Sequence, residues 1–391
     1  MIPYGRQSIS DDDIAAVVDV LRSDFLTQGP VVPRFEQAIA DYCGASFAVA
    51  VNSATSALHI ACLALGVGEG DWVWTAPNTF VASANCARYC GAQVDFVDID
   101  PVTFNLCPQA FARKLAQAKQ AGRLPKVVVA VHFAGQSCEM AAIHALAQQY
   151  DVRVIEDASH AIGGRYLDSV IGSCRYSDIT VFSFHPVKII TTAEGGLATT
   201  QDPHLARQMQ LLRSHGITRE ADELEQPDVG GWHYEQQLLG FNYRMTEMQA
   251  ALGVSQMTHL DAWIARRHQL ADRYDALLAD VPVIVPTRIA DAYSALHLYV
   301  IQIDEQRTTL TRKQVFEALR AAGIGVNVHY IPVHTQPDYQ RLGFAWGDFP
   351  ASERYYQRCI SLPMFASLTD EQQDQVVATL KHIFSTEAVL A

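Results

Sequence analysis

The chain has 391 residues, 49% of them hydrophobic and 18% charged, with a formal net charge of −13. Such a length and apolar content suit two soluble globular domains with ample core, and the acidic balance argues against nucleic acid or an anionic membrane as partner. No apolar run reaches the ~20 residues of a membrane helix, the opening MIPYGRQSISDDD lacks the apolar core of a signal peptide, and the cysteines show neither a CxxC pair nor a Cys/His metal spacing, which fits a reducing cytoplasm and no metal.

In chain order, Asp11 to Asp13 read as an N-cap and acidic first turn of a helix through Leu21. LTQGP at 26–30 is a turn, and a second helix spans about 32–42. Strand-like runs follow at 47–51, 72–75, 93–98, 126–132, 152–157, 178–184 and 196–200, most separated by helix-length segments such as 56–65 and 140–149. Near-continuous apolar strands alternating with helices predict a mostly parallel sheet covered on both faces. The last two strands are joined too briefly for a parallel crossover, so one of them should run antiparallel. Residues 218–237 are acidic and Gly-rich and read as a surface excursion, or alternatively as a disordered loop. A long helix is expected from Met245 to about Leu278. Beyond it, a strand at 298–303, a helix at 312–322, a strand at 325–330 and a closing helix at 369–384 make a smaller α+β unit. The expected domains are therefore 1–255 and 256–391.

Ligands of open α/β sheets bind at the carboxyl ends of the strands, and four features lie there. Of the six lysines, Lys114, Lys119, Lys126, Lys313 and Lys381 look solvated, whereas Lys188 lies among Phe, Val, Ile, Pro and Thr. A lysine in apolar surroundings becomes a neutral nucleophile suited to Schiff-base chemistry; the alternative is an amine that snorkels out of a turn. Asn52 to Ser56 form a small-residue turn opening a helix, which is either an anion site or only a good N-cap. Asp157 ends an apolar strand, where a carboxylate needs a cation or strong donor unless it simply caps a helix. Phe80 follows another strand end and is either core or a stacking ring. Taken together, an amine, a carboxylate, an aromatic and a phosphate turn specify a flat phosphorylated aldehyde, pyridoxal 5'-phosphate.

The motifs LTQGP, NSATSALH, PNTFVASAN, VIEDASHAIGG, VFSFHPVK, TTAEGG, LLRSHG, GFNYRMTEMQAALG, VHYIPVH and ISLPMF run through nearly the whole chain. As a set they resemble the DegT/DnrJ/EryC1/StrS sugar aminotransferases, within the fold-type-I pyridoxal-phosphate enzymes. The resemblance implies an aspartate aminotransferase-like α/β fold with a large mixed, mostly parallel sheet domain and a small C-terminal domain. It also implies that Lys188 carries the cofactor and shuttles a proton, and that Asp157 pairs with the ring nitrogen. His160 would contact the ring's O3′ side, Phe80 would stack, and Ala54, Thr55 and Ser183 would form the phosphate cup. Asn242 would reach the phosphate from the neighbouring subunit, which makes the active site a property of a homodimer. The acceptor sugar would touch Tyr4, Asp24, Phe25, Leu26, Thr27, Asn327, Val328, His329 and Tyr330. NSATSAL, FSFHPVKIITTAEGG and VHYIPV look most like the branch serving pseudaminic acid biosynthesis, which moves the amine of L-glutamate to C4 of a UDP-linked 4-keto-6-deoxy-N-acetyl sugar. The alternatives are another nucleotide-linked keto sugar, aminated at C3 or C4, and a pyridoxal-binding regulator. A dehydratase sibling usually has histidine in place of the lysine that stands at 188.

Overall fold

The apolar runs between residues 47 and 200 assemble into one seven-stranded sheet. In a computed structural model that describes residues 1–227 and 229–390, and only the helical backbone of 386–390, its strands are β1 Phe47–Val51, β2 Trp72–Thr75, β3 Gln93–Phe96, β4 Val127–Val131, β5 Arg153–Asp157, β6 Ile179–Ser183 and β7 Gly196–Thr200. Their spatial order is β1-β7-β6-β5-β4-β2-β3. All pairs are parallel except those of β7, which runs antiparallel to both β1 and β6, as the short connection requires.

Alternate residues of a strand feed opposite faces. Val127 and Val129 enter one core with Val49, Ile60 and Ile179, while Val128 and Ala130 enter another with Trp74, Phe111 and Ile143. Burial on both faces is why these strands read as unbroken apolar runs. The carboxyl ends of β1, β5 and β6 and the start of β7 meet along one edge. There Val51 and Ser183 flank Gly196 in register. A side chain on Gly196 would sit 2.3 Å from the Ser53 carbonyl carbon and 2.4 Å from the Ala54 amide nitrogen. Glycine is what lets the turn after β1 close over the sheet edge.

A second, antiparallel sheet pairs Val283–Ile284, Tyr299–Ile303 and Cys359–Leu362, backed by helices Arg312–Ala321 and Asp370–Leu390. Its core of Tyr274, Tyr299, Ile301, Val315, Leu319 and Ile360 also takes in Ile2, which bridges to Ile324. The first residues of the chain thus pack with the C-terminal unit. A boundary at 255 falls inside helix Glu247–Met257.

Two expectations about elements are corrected and a third, the surface excursion, gains detail. The long helix of 245–278 is two, Glu247–Met257 and Leu260–Leu277. At the break, Thr258 and His259 donate to carbonyls three residues back, and the Thr258 hydroxyl also takes Ser255's carbonyl at 2.6 Å. This tightened turn re-aims Leu260 and Ile264 into the core of Phe35 and Ile39. GVNVHY forms no strand: it makes one bridge, Asn327 to Ser361, because its polar groups are taken up by side chains. The 218–237 stretch, whose residue 228 lies outside the described residues, carries a short ribbon of Ile217–Thr218 against Glu235–Gln236.

Candidate active site

A cavity of about 540 Å³ opens where the carboxyl ends of the strands face the segment 327–330. Lys188 stands at its wall, four residues past Phe184, in a turn closed by its amide on the His185 carbonyl at 2.9 Å. Its accessible surface faces this cavity, and burial pushes the ammonium down to about 8, opposed by the charge of Asp157. About a fifth of such an amine is neutral at pH 7.4, far more than of a free lysine, and the neutral form is what a nucleophile or proton carrier requires.

Asp157 ends β5 and is 5% exposed. Its Oδ2 accepts the Ser83 hydroxyl at 2.6 Å and its Oδ1 accepts the Ser159 amide at 3.1 Å. At the end of β1, Ser53 caps helix Ala54–Ala64 by accepting the Ser56 amide at 3.1 Å. The amides of Ala54 and Thr55, in the first turn, have no partner within the helix. Both residues line the cavity, as does Ser183 at the end of β6. Free amides at a helix N-terminus, cradled over Gly196, suit a phosphate.

His160 is buried beneath these groups. Its Nδ1 accepts the Ala134 amide at 3.2 Å, so the neutral ring carries its proton on Nε2 and donates it to the Tyr330 hydroxyl at 2.9 Å. Burial, then the nearby Lys188, holds His160 far below the usual histidine range. His329, hydrogen-bonded through Nδ1 to the Ser361 hydroxyl at 2.7 Å, is pushed down to about 3 by the same two causes. These rings therefore face the cavity as neutral hydrogen-bonding groups.

Among the expected acceptor-side residues, Tyr4, Asn327, Val328, His329 and Tyr330 line the cavity, with the Tyr4 ring 5.6 Å from His329. Phe80 lies at the mouth, 59% exposed, its ring 6.4 Å from Tyr330. Asp24, Phe25, Leu26 and Thr27 occupy an exposed loop outside the wall. Asn242 is also exposed and outside it, on a bridge to Ser214. Sequence reading missed Thr79, Ser83 and His297, all buried in the cavity wall. Thr79, in the turn before helix Ala82–Tyr89, and Ser83, in its first turn, are hydroxyl neighbours at 2.8 Å, but the carboxylate that Ser83 bonds is 74 residues away.

Comparison with known proteins agrees with this geometry. The model of the DegT/DnrJ/EryC1/StrS aminotransferase family matches residues 7–381. The chain is 40% identical over 385 residues to the spore coat polysaccharide biosynthesis protein SpsC of Bacillus subtilis, covering 98% of this chain and 97% of that one. Among solved structures, a putative sugar aminotransferase, Spr1654 of Streptococcus pneumoniae in its PMP form, superposes with a TM-score of 0.90 at 28% identity, over 99% and 100% of the two chains. Helicobacter pylori PseC, an aminotransferase involved in pseudaminic acid biosynthesis, gives 0.88 at 30% identity, over 98% and 99%. The fold is that of the fold-type-I transferases, and the amine, buried carboxylate and cradled helix amides fit pyridoxal phosphate as cofactor. The chain belongs to the DegT/DnrJ/EryC1/StrS family and is a sugar aminotransferase.

Proposed function

We propose that the protein moves the amino group of L-glutamate to C4 of a UDP-linked 4-keto-6-deoxy-N-acetylhexosamine, as a homodimer in the cytoplasm. The observation that carries this reading is one cavity holding a lysine tuned to about 8 beside a second wall, Tyr4 and Asn327 to Tyr330, free for an acceptor. The likeness to PseC over 98% of the chain supports the choice of sugar.

Pyridoxal phosphate, when bound, supplies an electron sink for proton removal at the carbon that bears the transferred nitrogen. In this reading Lys188 would take that proton and hand it back on the far side of the transferred nitrogen, the 1,3-shift that transfer needs. Asp157 holds the ring's N–H, the amides of Ala54 and Thr55 with Ser183 orient the phosphate, and Phe80 covers the ring. Neutral His160 aligns Tyr330 across the cavity. Tyr4, Asn327, Val328 and His329 orient the sugar, and the exposed loop Asp24, Phe25, Leu26 and Thr27 meets the acceptor where the second copy closes the cavity. Asn242 of the partner subunit reaches the phosphate.

Turnover with glutamate of a panel of UDP-, dTDP- and GDP-linked 4-keto and 3-keto sugars, read as 2-oxoglutarate release, tests the proposal. The UDP-4-keto-N-acetyl sugar should lead in kcat/KM by tenfold or more. A dTDP, GDP or 3-keto preference would favour the second reading, an aminotransferase for another nucleotide-linked sugar. Pyridoxal phosphate binding without turnover of any sugar would leave a regulatory protein.

A further inference from the structure

Among the described residues no cation pairs with Asp157 at ion-pair distance, although its charge acts on Lys188. Among the described residues the Asp157 side chain meets two donors, the Ser159 amide on Oδ1 and the Ser83 hydroxyl on Oδ2, at 3.1 and 2.6 Å. Ser83 has a second polar neighbour, the Thr79 hydroxyl at 2.8 Å. Each hydroxyl has one proton to give, and an ionised carboxylate can only accept. The Ser83 proton therefore goes to Asp157, and Thr79 must be the donor to Ser83. The chain of bonds has one direction, Thr79 to Ser83 to Asp157. All three residues are buried, Ser83 at 0% and Thr79 at 1% exposure, and all three line the cavity.

We infer that Ser83, oriented by Thr79, is a positioning residue that fixes the plane of the Asp157 carboxylate and turns its remaining lone pairs toward the ring nitrogen of the cofactor. A carboxylate held by one amide alone keeps a rotation about its last bond. A charge-assisted hydroxyl bond on the other oxygen removes it. Ser83 comes from helix Ala82–Tyr89 and Thr79 from the turn before it, on either side of Phe80, so one segment both covers the ring and aims its counter-charge. This inference rests on Asp157 being the ring-nitrogen partner.

The test uses full-length protein freed of cofactor and titrated with pyridoxal phosphate. Ser83→Ala should weaken binding about tenfold or more, since a lost bond to a charged group is worth that much. It should also shift the pH at which the bound cofactor's absorbance changes. Thr79→Val, close to isosteric, should move both readouts the same way but less, and Ser83→Thr, which keeps the hydroxyl, should restore them. The denaturant midpoint of cofactor-free Ser83→Ala should fall, because the bond exists before cofactor binds, so affinity is titrated without denaturant, where every variant is folded by circular dichroism. Wild-type affinity and an unmoved absorbance titration in Ser83→Ala would overturn the inference. So would an affinity loss in folded Ser83→Ala with no shift in the absorbance titration. Asp157→Ala run in parallel separates the two claims. If it binds poorly while Ser83→Ala binds normally, only the role of Ser83 fails; if it too binds normally, the reading of Asp157 fails and this one with it.

Discussion

Replacing Lys188 with methionine should make the cofactor-free protein more stable near neutral pH. Burial brings the Lys188 amine from its ordinary 10.5 down to about 8, so the folded state releases a proton that the unfolded chain keeps. Below 8 both states are protonated, and the buried charge costs the fold the whole shift, about 3 kcal/mol at roughly 1.4 kcal/mol per pH unit. Between 8 and 10.5 the unfolded state binds more protons than the native one, so wild-type stability rises with pH across that window. Methionine has a similar length and no charge, and escapes the penalty. Its advantage should be about 3 kcal/mol at pH 7 and shrink to about 1 kcal/mol at pH 10. Guanidinium titrations of both cofactor-free proteins at the two pH values measure the difference, and groups common to both cancel. A variant no more stable than wild type at pH 7, or an advantage that does not shrink, would refute the view that burial disfavours the charged form of Lys188.

Three other predictions concern the same cavity. Gly196→Ala places a methyl 2.3–2.4 Å from the backbone of Ser53 and Ala54, so the phosphate turn must lift off the sheet edge; it should cost about 1–3 kcal/mol in denaturant stability and lower cofactor affinity in equilibrium titration. Asp157→Asn should leave the fold intact by circular dichroism, bind cofactor weakly and lose turnover by orders of magnitude, because an amide cannot replace a charge in a dry site; near-normal turnover contradicts its role. Lys188→Ala and Asn242→Asp, each nearly inactive alone, should recover up to about half the activity per hybrid when refolded together, because one site of a hybrid dimer then carries both lesions and the other none. No recovery from two dimeric variants would place Asn242 in its own chain's site or away from the phosphate.

Local sequence carried the part of this protein that local physics controls. The inner strands of the large sheet are buried on both faces, so they read as largely apolar runs, whereas the edge strand β3 alternates as QVDF, and β7 had to reverse because only a short turn precedes it. Lys188 and Asp157 were legible for the same reason, as charged groups stranded in apolar text at strand ends. The break after Met257 was not, since the continuous helical pattern of 245–278 hides which core each half serves; packing of Leu260 and Ile264 against Phe35 and Ile39 decides it. GVNVHY alternates like a strand, but Tyr330 gives its amide to Asn78 at 3.3 Å and His329 its ring to Ser361, so the segment becomes a cavity wall instead. Ile2 reads as part of an N-terminal arm and ends in the C-terminal core. Ser83 and Thr79 look like ordinary small residues of a helix start, and only the return of β5 beside them supplies the carboxylate that gives them a task. A side chain's burial can be read from its neighbours in sequence, whereas its hydrogen-bond partner is set by how distant segments cross.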